Sequence, residues 1–457
     1  MKLDFSALPL RPDALSQAPT RFCDPGYKNT LASLMDLILI ETGPRGAREN
    51  WQAAQLRNLL AHASRRSPFW RQRFGAPSDA TKTPLAFLPV LTRADVAQQA
   101  MREGSLLPAT ATSPVQKHAT SGSSGTPVEF FICEMNSLYN NLRSFAQYFI
   151  DGLDISYNRV RFKTGLVENK AGFTVRHDKG WNNLQGFAKT GTSKFITYTR
   201  PDIASLCKEL KSAPVGYLVS TPQLVEWLLT QVEPSFLKDI GTQRITLISG
   251  SLDAQTRARL ADVNIPVSTT YSTEEIGKIA HECAKRPGHF HVTTSNVIVE
   301  VDMSAPVEVD GVPLGRVLVT HLHSYATPFI RYDVGDLARL SSRCPCGHDG
   351  SVLTNIYGRS KQLLKHADGR ISPFYVWGRM LIDIVKFDEY RIRQTDLETI
   401  VVEIVAPESL PPEKREAVRR LVAANAGADF NVRVEQVPRI DWGRDVKRLA
   451  FRNELLN

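Results

Sequence analysis

Apolar residues follow two rhythms along this chain, and the change of rhythm divides it. Residues 51–64 (WQAAQLRNLLAHAS) carry apolar side chains at helical spacing, and Arg65, Arg66 and Pro68 end the run. Residues 87–91 lead into Thr92-Arg93-Ala94-Asp95, a helix start. From about residue 160 the pattern becomes α/β. Short strands at 215–220, 244–248 and 266–270 alternate with helices at 222–232 and 253–263. Such alternation predicts a largely parallel sheet with covering helices. Strand patterns dominate 297–340, and 359–375 reads as a hairpin turning at Asp368-Gly369. The stretch 390–457 reads strand (TIVVEIV), helix (413–424), strand (NVRVEQV), then a basic tail. The predicted class is α/β, with a large N-terminal domain of mixed and parallel sheets (1–357) and a small α+β C-terminal domain (358–457).

Composition narrows this picture little. A hydrophobic content of 42% and a charged content of 23% are those of a globular protein, and 457 residues exceed one ordinary core. No apolar run has transmembrane length, and the first ten residues lack a secretory pattern, so the expectation is a cytoplasmic protein with no membrane partner. The net charge of +9 raises nucleic acid as a ligand, but 56 basic residues face 47 acidic ones without a long basic run. No nucleic-acid partner is expected. The basic stretch 159–200 hints instead at an anionic or polar small ligand.

The chemistry concentrates in short segments. Thr120-Ser121-Gly122-Ser123-Ser124-Gly125-Thr126-Pro127 precedes a strand-like run at 128–133. Its glycines permit tight turning with successive N–H groups presented to one anion, and its hydroxyls add donors. It lacks the ending of a Walker loop and the spacing of a dinucleotide fold. Tyr271-Ser272-Thr273-Glu274-Glu275-Ile276-Gly277 places an aromatic ring and paired carboxylates at a strand end, suited to a base and to Mg²⁺. Tyr332-Asp333-Val334-Gly335-Asp336 offers an acid that can grip ribose hydroxyls. Gly358-Arg359-Ser360-Lys361 and Gly443-Arg444-Asp445-Val446-Lys447 add cations. Together these segments describe a nucleotide site.

In order and spacing, these motifs resemble those of AMP-forming acyl-adenylate enzymes, specifically the branch of phenylacetate–CoA ligases and capsular-polysaccharide-associated ligases. The resemblance covers about residues 51–380 and is weak in the tail. It implies a phosphate loop at 120–126, a turn beside the adenine at Ser249-Gly250-Ser251, and nucleotide contacts from Ser251, Tyr271 and Ser272. It assigns Glu275 to Mg²⁺, Asp336 to the ribose, Arg359 to the nucleotide and Lys361 to the pivot of a mobile lid. The implied reaction has two halves: a carboxylate attacks the α-phosphate of ATP, then a thiol, usually that of coenzyme A, takes the acyl group and AMP leaves. Where the family has a lid lysine this chain has Arg444, whose planar fork differs from an ammonium, and Lys447 stands three residues on as a substitute. Members of the branch often form dimers.

Cys344-Pro345-Cys346 and Cys283 bracket His289-Phe290-His291, whose alternation puts both imidazoles on one face. This mix suits tetrahedral Zn²⁺. The resemblance favours Cys283, His291, Cys344 and Cys346 as a closed structural site, with His289 as the alternative ligand.

The sequence therefore predicts an ATP-dependent ligase that activates an aromatic or small polar carboxylic acid and passes it to coenzyme A. The alternatives are an amide- or ester-forming ligase, a carrier-protein loading enzyme, or a non-catalytic nucleotide-binding homologue with Arg444 in place of lysine.

Overall fold

A computed structural model describes residues 25–74, 80–100, 115–119, 128–164, 172–181, 190–198, 202–248, 250, 252–309, 311–358, 363–374, 376, 378–427, 430–442 and 450–455. Its framework is a continuous sheet of fourteen strands that changes character midway. One half is mainly parallel: Arg159–Thr164, Ser193–Tyr198, Tyr217–Ser220, Arg244–Ile248 and Val267–Thr273 pair side by side in the same direction, and only the edge strand Phe173–Asp178 runs against them. The connecting helices, Ile203–Lys211, Pro222–Gln231 and Ala254–Asp262, start on side-chain caps from Asp202, Thr221 and Asp253. Strand and helix faces share one apolar core built from residues such as Ile196, Leu218, Leu228 and Ile245.

At Gly277 the chain reverses. Its φ of +74° suits glycine, and a Cβ there would meet the Asn140 amide at 3.2 Å. The strands that follow, Gly277–Cys283 to Val352–Tyr357, pair antiparallel. The N-terminal helix Arg45–Arg66 packs on this half, where Leu59, Leu60 and Trp70 join Ile279, Val317 and Phe329 in a second core. Trp70 Nε1 donates to the Pro328 carbonyl at 3.0 Å.

The C-terminal portion folds as a four-stranded sheet with the helix Pro412–Ala426 against it. Its strand order places Glu389–Gln394 between Thr399–Val405 and Phe451–Asn453. The sequence reading omitted Glu389–Gln394 and treated the end of the chain as a basic tail. Phe451–Asn453 instead completes the sheet, because Phe451 and Asn453 are buried. The hairpin Leu363–Lys365 with Ile371–Pro373 adds to the large sheet through Val309 and Ile371, and to the small domain through buried amides. Asn453 Nδ2 donates to the Leu363 carbonyl at 2.7 Å, and Gln394 exchanges hydrogen bonds with both backbone groups of Lys365.

Four cations of the basic stretch make local contacts. Arg159 lies over Trp181, Arg161 and Arg176 lie over Phe195, and Lys194 binds Glu209 at 2.6 Å. Lys170, Lys189 and Arg200 of the same stretch lie outside the described residues. Among the described residues no helix is long and apolar enough to cross a membrane.

Candidate active site

The parallel strands end at one rim, and Val267–Thr273 delivers Tyr271 to it. Tyr271 Oη donates to Asp336 Oδ2 at 2.6 Å. Asp336 is held inward by the turn before it. Gly335 has a φ of +82°, and its N–H donates to Asp333 Oδ1 at 2.9 Å. Asp336 is buried, so this carboxylate faces its partner rather than solvent.

Glu275 follows on the turn after Tyr271 and is 3% exposed, whereas Glu274 is exposed. Its Oε1 accepts from Arg93 Nη1 at 3.0 Å and from Tyr332 Oη at 3.1 Å. Tyr332 belongs to the same motif as Asp336, so the two short motifs interlock at two points. Arg93 arrives by another route. The segment before it bonds to the strand bearing Tyr332, with Leu91 N–H donating to Arg331 O and Asp333 N–H to Leu91 O. The helix Arg93–Ala100 then opens with a reciprocal cap, Thr92 N–H to Asp95 and Asp95 N–H to Thr92. The sequence offered Arg93 only as part of a helix start. Its spacing from Glu275 is too long for any local pattern to reveal the pair.

A carboxylate at this rim, beside a second one suited to ribose, fits Mg²⁺ held jointly with nucleotide phosphates. The fit carries one condition: Arg93 already neutralises the same carboxylate, so a divalent ion must share Glu275 with it. Ser272 stands half-buried on the same strand. Thr120, Ser121, Gly122, Ser123, Ser124, Gly125, Thr126, Ser251, Arg359, Lys361, Arg444 and Lys447 lie outside the described residues.

A separate cluster brings together Cys283, His291, Cys344 and Cys346, whose ligand atoms all lie within 4.8 Å of one another. Cys346 Sγ and His291 Nε2 are 3.5 Å apart. Ordinary Zn–S and Zn–N bonds of about 2.3 and 2.0 Å at a tetrahedral angle require about that separation. His289 is not among the four. Strand pairing slips between Arg286 and Phe290, so His289 stands in the irregular stretch while His291 pairs with His281. Burial lowers the His291 imidazole below its ordinary range, favouring the neutral form that a metal needs. The loop is braced from outside: His348 stacks on His291 at 4.1 Å, Arg48 donates to the Asp349 carbonyl, and Arg45 pairs with the Asp349 side chain.

Sequence comparison finds no matching protein-family model and no matching curated protein. Comparison of structures finds the fold. 2-Hydroxyisobutyryl-CoA ligase in its postadenylation state, solved with 2-HIB-AMP, matches with a TM-score of 0.62 at 17% identity over 90% of each chain. The same state solved with R3-HIB-AMP gives 0.61 at 18% identity, again over 90% of each chain. The ligase solved with 2-HIB-AMP and CoA in its thioesterification state gives 0.55 at 18% identity, over 91% of this chain and 92% of that one. The chain shares the fold of this ligase.

Proposed function

We propose that this chain activates a carboxylic acid with ATP as an acyl-adenylate and then transfers the acyl group to a thiol, with coenzyme A as the acceptor. One observation carries the reading: two motifs converge so that Tyr271 binds Asp336, 65 positions on, while Tyr332 of the second motif binds Glu275 of the first. The fold shared with a ligase solved with an acyl-AMP supports it. Asp336, oriented by Tyr271, holds the ribose hydroxyls. Glu275 holds Mg²⁺ with the phosphates, and the ion supplies neutralisation of charge gathering at phosphorus. The loop 120–126 contributes backbone and hydroxyl donors to those phosphates, and Arg444 or Lys447 supplies the cation that bridges the carboxylate and the α-phosphate. Residues 358–457 act as the lid, pivoting at Lys361. Cys283, His291, Cys344 and Cys346 hold a structural Zn²⁺; four protein ligands leave no open position for catalysis.

The Arg93–Glu275 pair favours one alternative, a nucleotide-binding protein that has lost the first half-reaction, because a fixed cation occupies the carboxylate expected to bind Mg²⁺. Pyrophosphate release from ATP and Mg²⁺ against a panel of carboxylic acids, with coenzyme A omitted and then added, decides between them. Release with one acid, accelerated by coenzyme A, is the expected result. ATP binding without release from any acid selects the alternative.

A further inference from the structure

The rim of the parallel strands carries a second feature, a cleft of ≈ 80 Å³ between the two domains. That is space for several waters or part of a small ring. The large domain contributes Tyr198, at the carboxyl end of its strand, and Thr221, Glu226 and Trp227 at the start of and along the helix Pro222–Gln231. The small domain contributes Phe387, Tyr390 and Trp442. Helix Pro222–Gln231 also touches the turn expected beside the adenine, since a Cβ on Gly250 would meet Pro222 at 3.2 Å.

Among the described residues, the lining of this cleft is aromatic and acidic, with no lysine or arginine. Tyr198 and Trp227 face each other with ring centroids 4.6 Å apart. Trp442 also lines the cleft, donates from Nε1 to Glu389 Oε2 at 3.4 Å, and has Arg391 over its ring at 5.3 Å. Glu226 is 6% exposed, and its Oε1 has no hydrogen-bond partner. Its helix reads Pro-Gln-Leu-Val-Glu-Trp-Leu-Leu, an acid where an apolar residue would be the simple choice. Asp388 and Glu389 add carboxylates at the mouth. Burial, and then the nearby Asp253 charge, push the Glu226 carboxyl well above the ordinary carboxylate range. A buried acid without a partner costs stability unless a ligand supplies a donor. Rings around a carboxylate favour a cation, because ring faces and carboxylate attract the same charge.

We infer that this cleft binds an amine attached to a small apolar body, with the ammonium on Glu226 and the body between the rings of Trp227 and Trp442. The inference extends the proposed ligase reading, since the amine belongs either to the acid being activated or to the acceptor of its acyl group.

The test uses the full-length chain and two probes of equal shape, benzylamine and benzyl alcohol, followed by tryptophan fluorescence and calorimetry. Benzylamine is expected to bind at least about tenfold more tightly, as a charge-assisted bond and a desolvated cation–π contact imply. Glu226→Gln is expected to abolish that preference. Equal binding of the two probes by the wild-type protein, a comparison that needs no variant to fold, overturns the inference. So does a preference that survives in Glu226→Gln. Neither measurement involves adenylation, so a failed ligase reading would leave this result standing. Two further arms identify the source of the amine. Greater pyrophosphate release with 4-(aminomethyl)benzoate than with 4-methylbenzoate places it on the acid. ATP-dependent N-benzylbenzamide formation from benzoate and benzylamine places it on the acceptor: nitrogen attacks the acyl carbon, the acyl–oxygen bond to phosphate breaks, AMP leaves and a proton is released.

Discussion

The Tyr271 hydroxyl holds one oxygen of Asp336 at 2.6 Å across 65 residues of sequence. The bond fixes which way the carboxylate faces. Tyr271→Phe should weaken ATP binding by about tenfold, the worth of one hydrogen bond to a charged group, and Asp336→Ala should weaken it further. Titration calorimetry with ATP reads both. Unchanged affinity in Tyr271→Phe would show that Asp336 needs no positioning.

Arg93 makes a different prediction about the neighbouring carboxylate. The Glu275 side chain is 2% exposed and that of Arg93 is 28% exposed, so solvent screens the pair only from the arginine side. Arg93→Met should cost about 1–3 kcal/mol, below the usual loss for a fully buried pair. Mg²⁺ should then stabilise Arg93→Met more than the wild-type protein, because the carboxylate has lost its built-in counter-ion. Thermal melts with and without Mg²⁺ measure the difference; equal shifts would mean that the ion does not bind at Glu275.

At the Cys/His cluster, the purified chain should carry about one equivalent of zinc, and Cys344→Ser or Cys346→Ser should lose it. Both variants should melt at a lower temperature, and chelation should bring the wild-type protein to the same point. Metal analysis that finds no zinc removes the assignment.

The sequence made some of this legible because local chemistry sufficed. The strand at 244–248 and the helix near 253–263, capped by Asp253, follow from alternation and capping alone. Glycine with acid at Gly335-Asp336 and the Cys-x-Cys turn likewise announce themselves in a few residues. What the sequence hid depends on long-range placement. Arg93 reaches Glu275 across 182 residues, and Glu226 meets Tyr390 only because two domains adjoin. The strand Phe451–Asn453 escaped notice because three residues carry no periodicity. Glu226 did leave a trace, as the lone acid in an apolar helix.

Acid should destabilise this protein through two buried histidines. His323 is held down to about 3, first by burial and then by the Arg143 charge, and burial drives His321 well below its usual range. Arg143 Nη2 donates to His323 Nδ1 at 2.8 Å, which fixes the neutral ring with its proton on Nε2. Unfolded, both rings would titrate near about 6.5. The folded state therefore binds fewer protons. The stabilisation is complete above that value and is lost as pH falls toward about 3. The unfolding free energy should decline over this window with a slope of two protons or more, since burial also lowers His281 and His348, and His323→Asn should remove one. A flat profile from pH 6.5 to 4 would contradict the burial of both rings.

Arg48 and Asp349 join the helix Arg45–Arg66 to the cysteine loop over 301 residues of chain. An amphipathic helix made early in synthesis thus waits for a docking surface assembled from much later sequence, and its apolar stripe of Leu59, Leu60 and Ala63 stays uncovered meanwhile. The Arg45 and Arg48 end of the helix reaches its partners last, when Asp349 arrives. The loop that brings the thiols together is therefore one of the late surfaces on which this early helix depends.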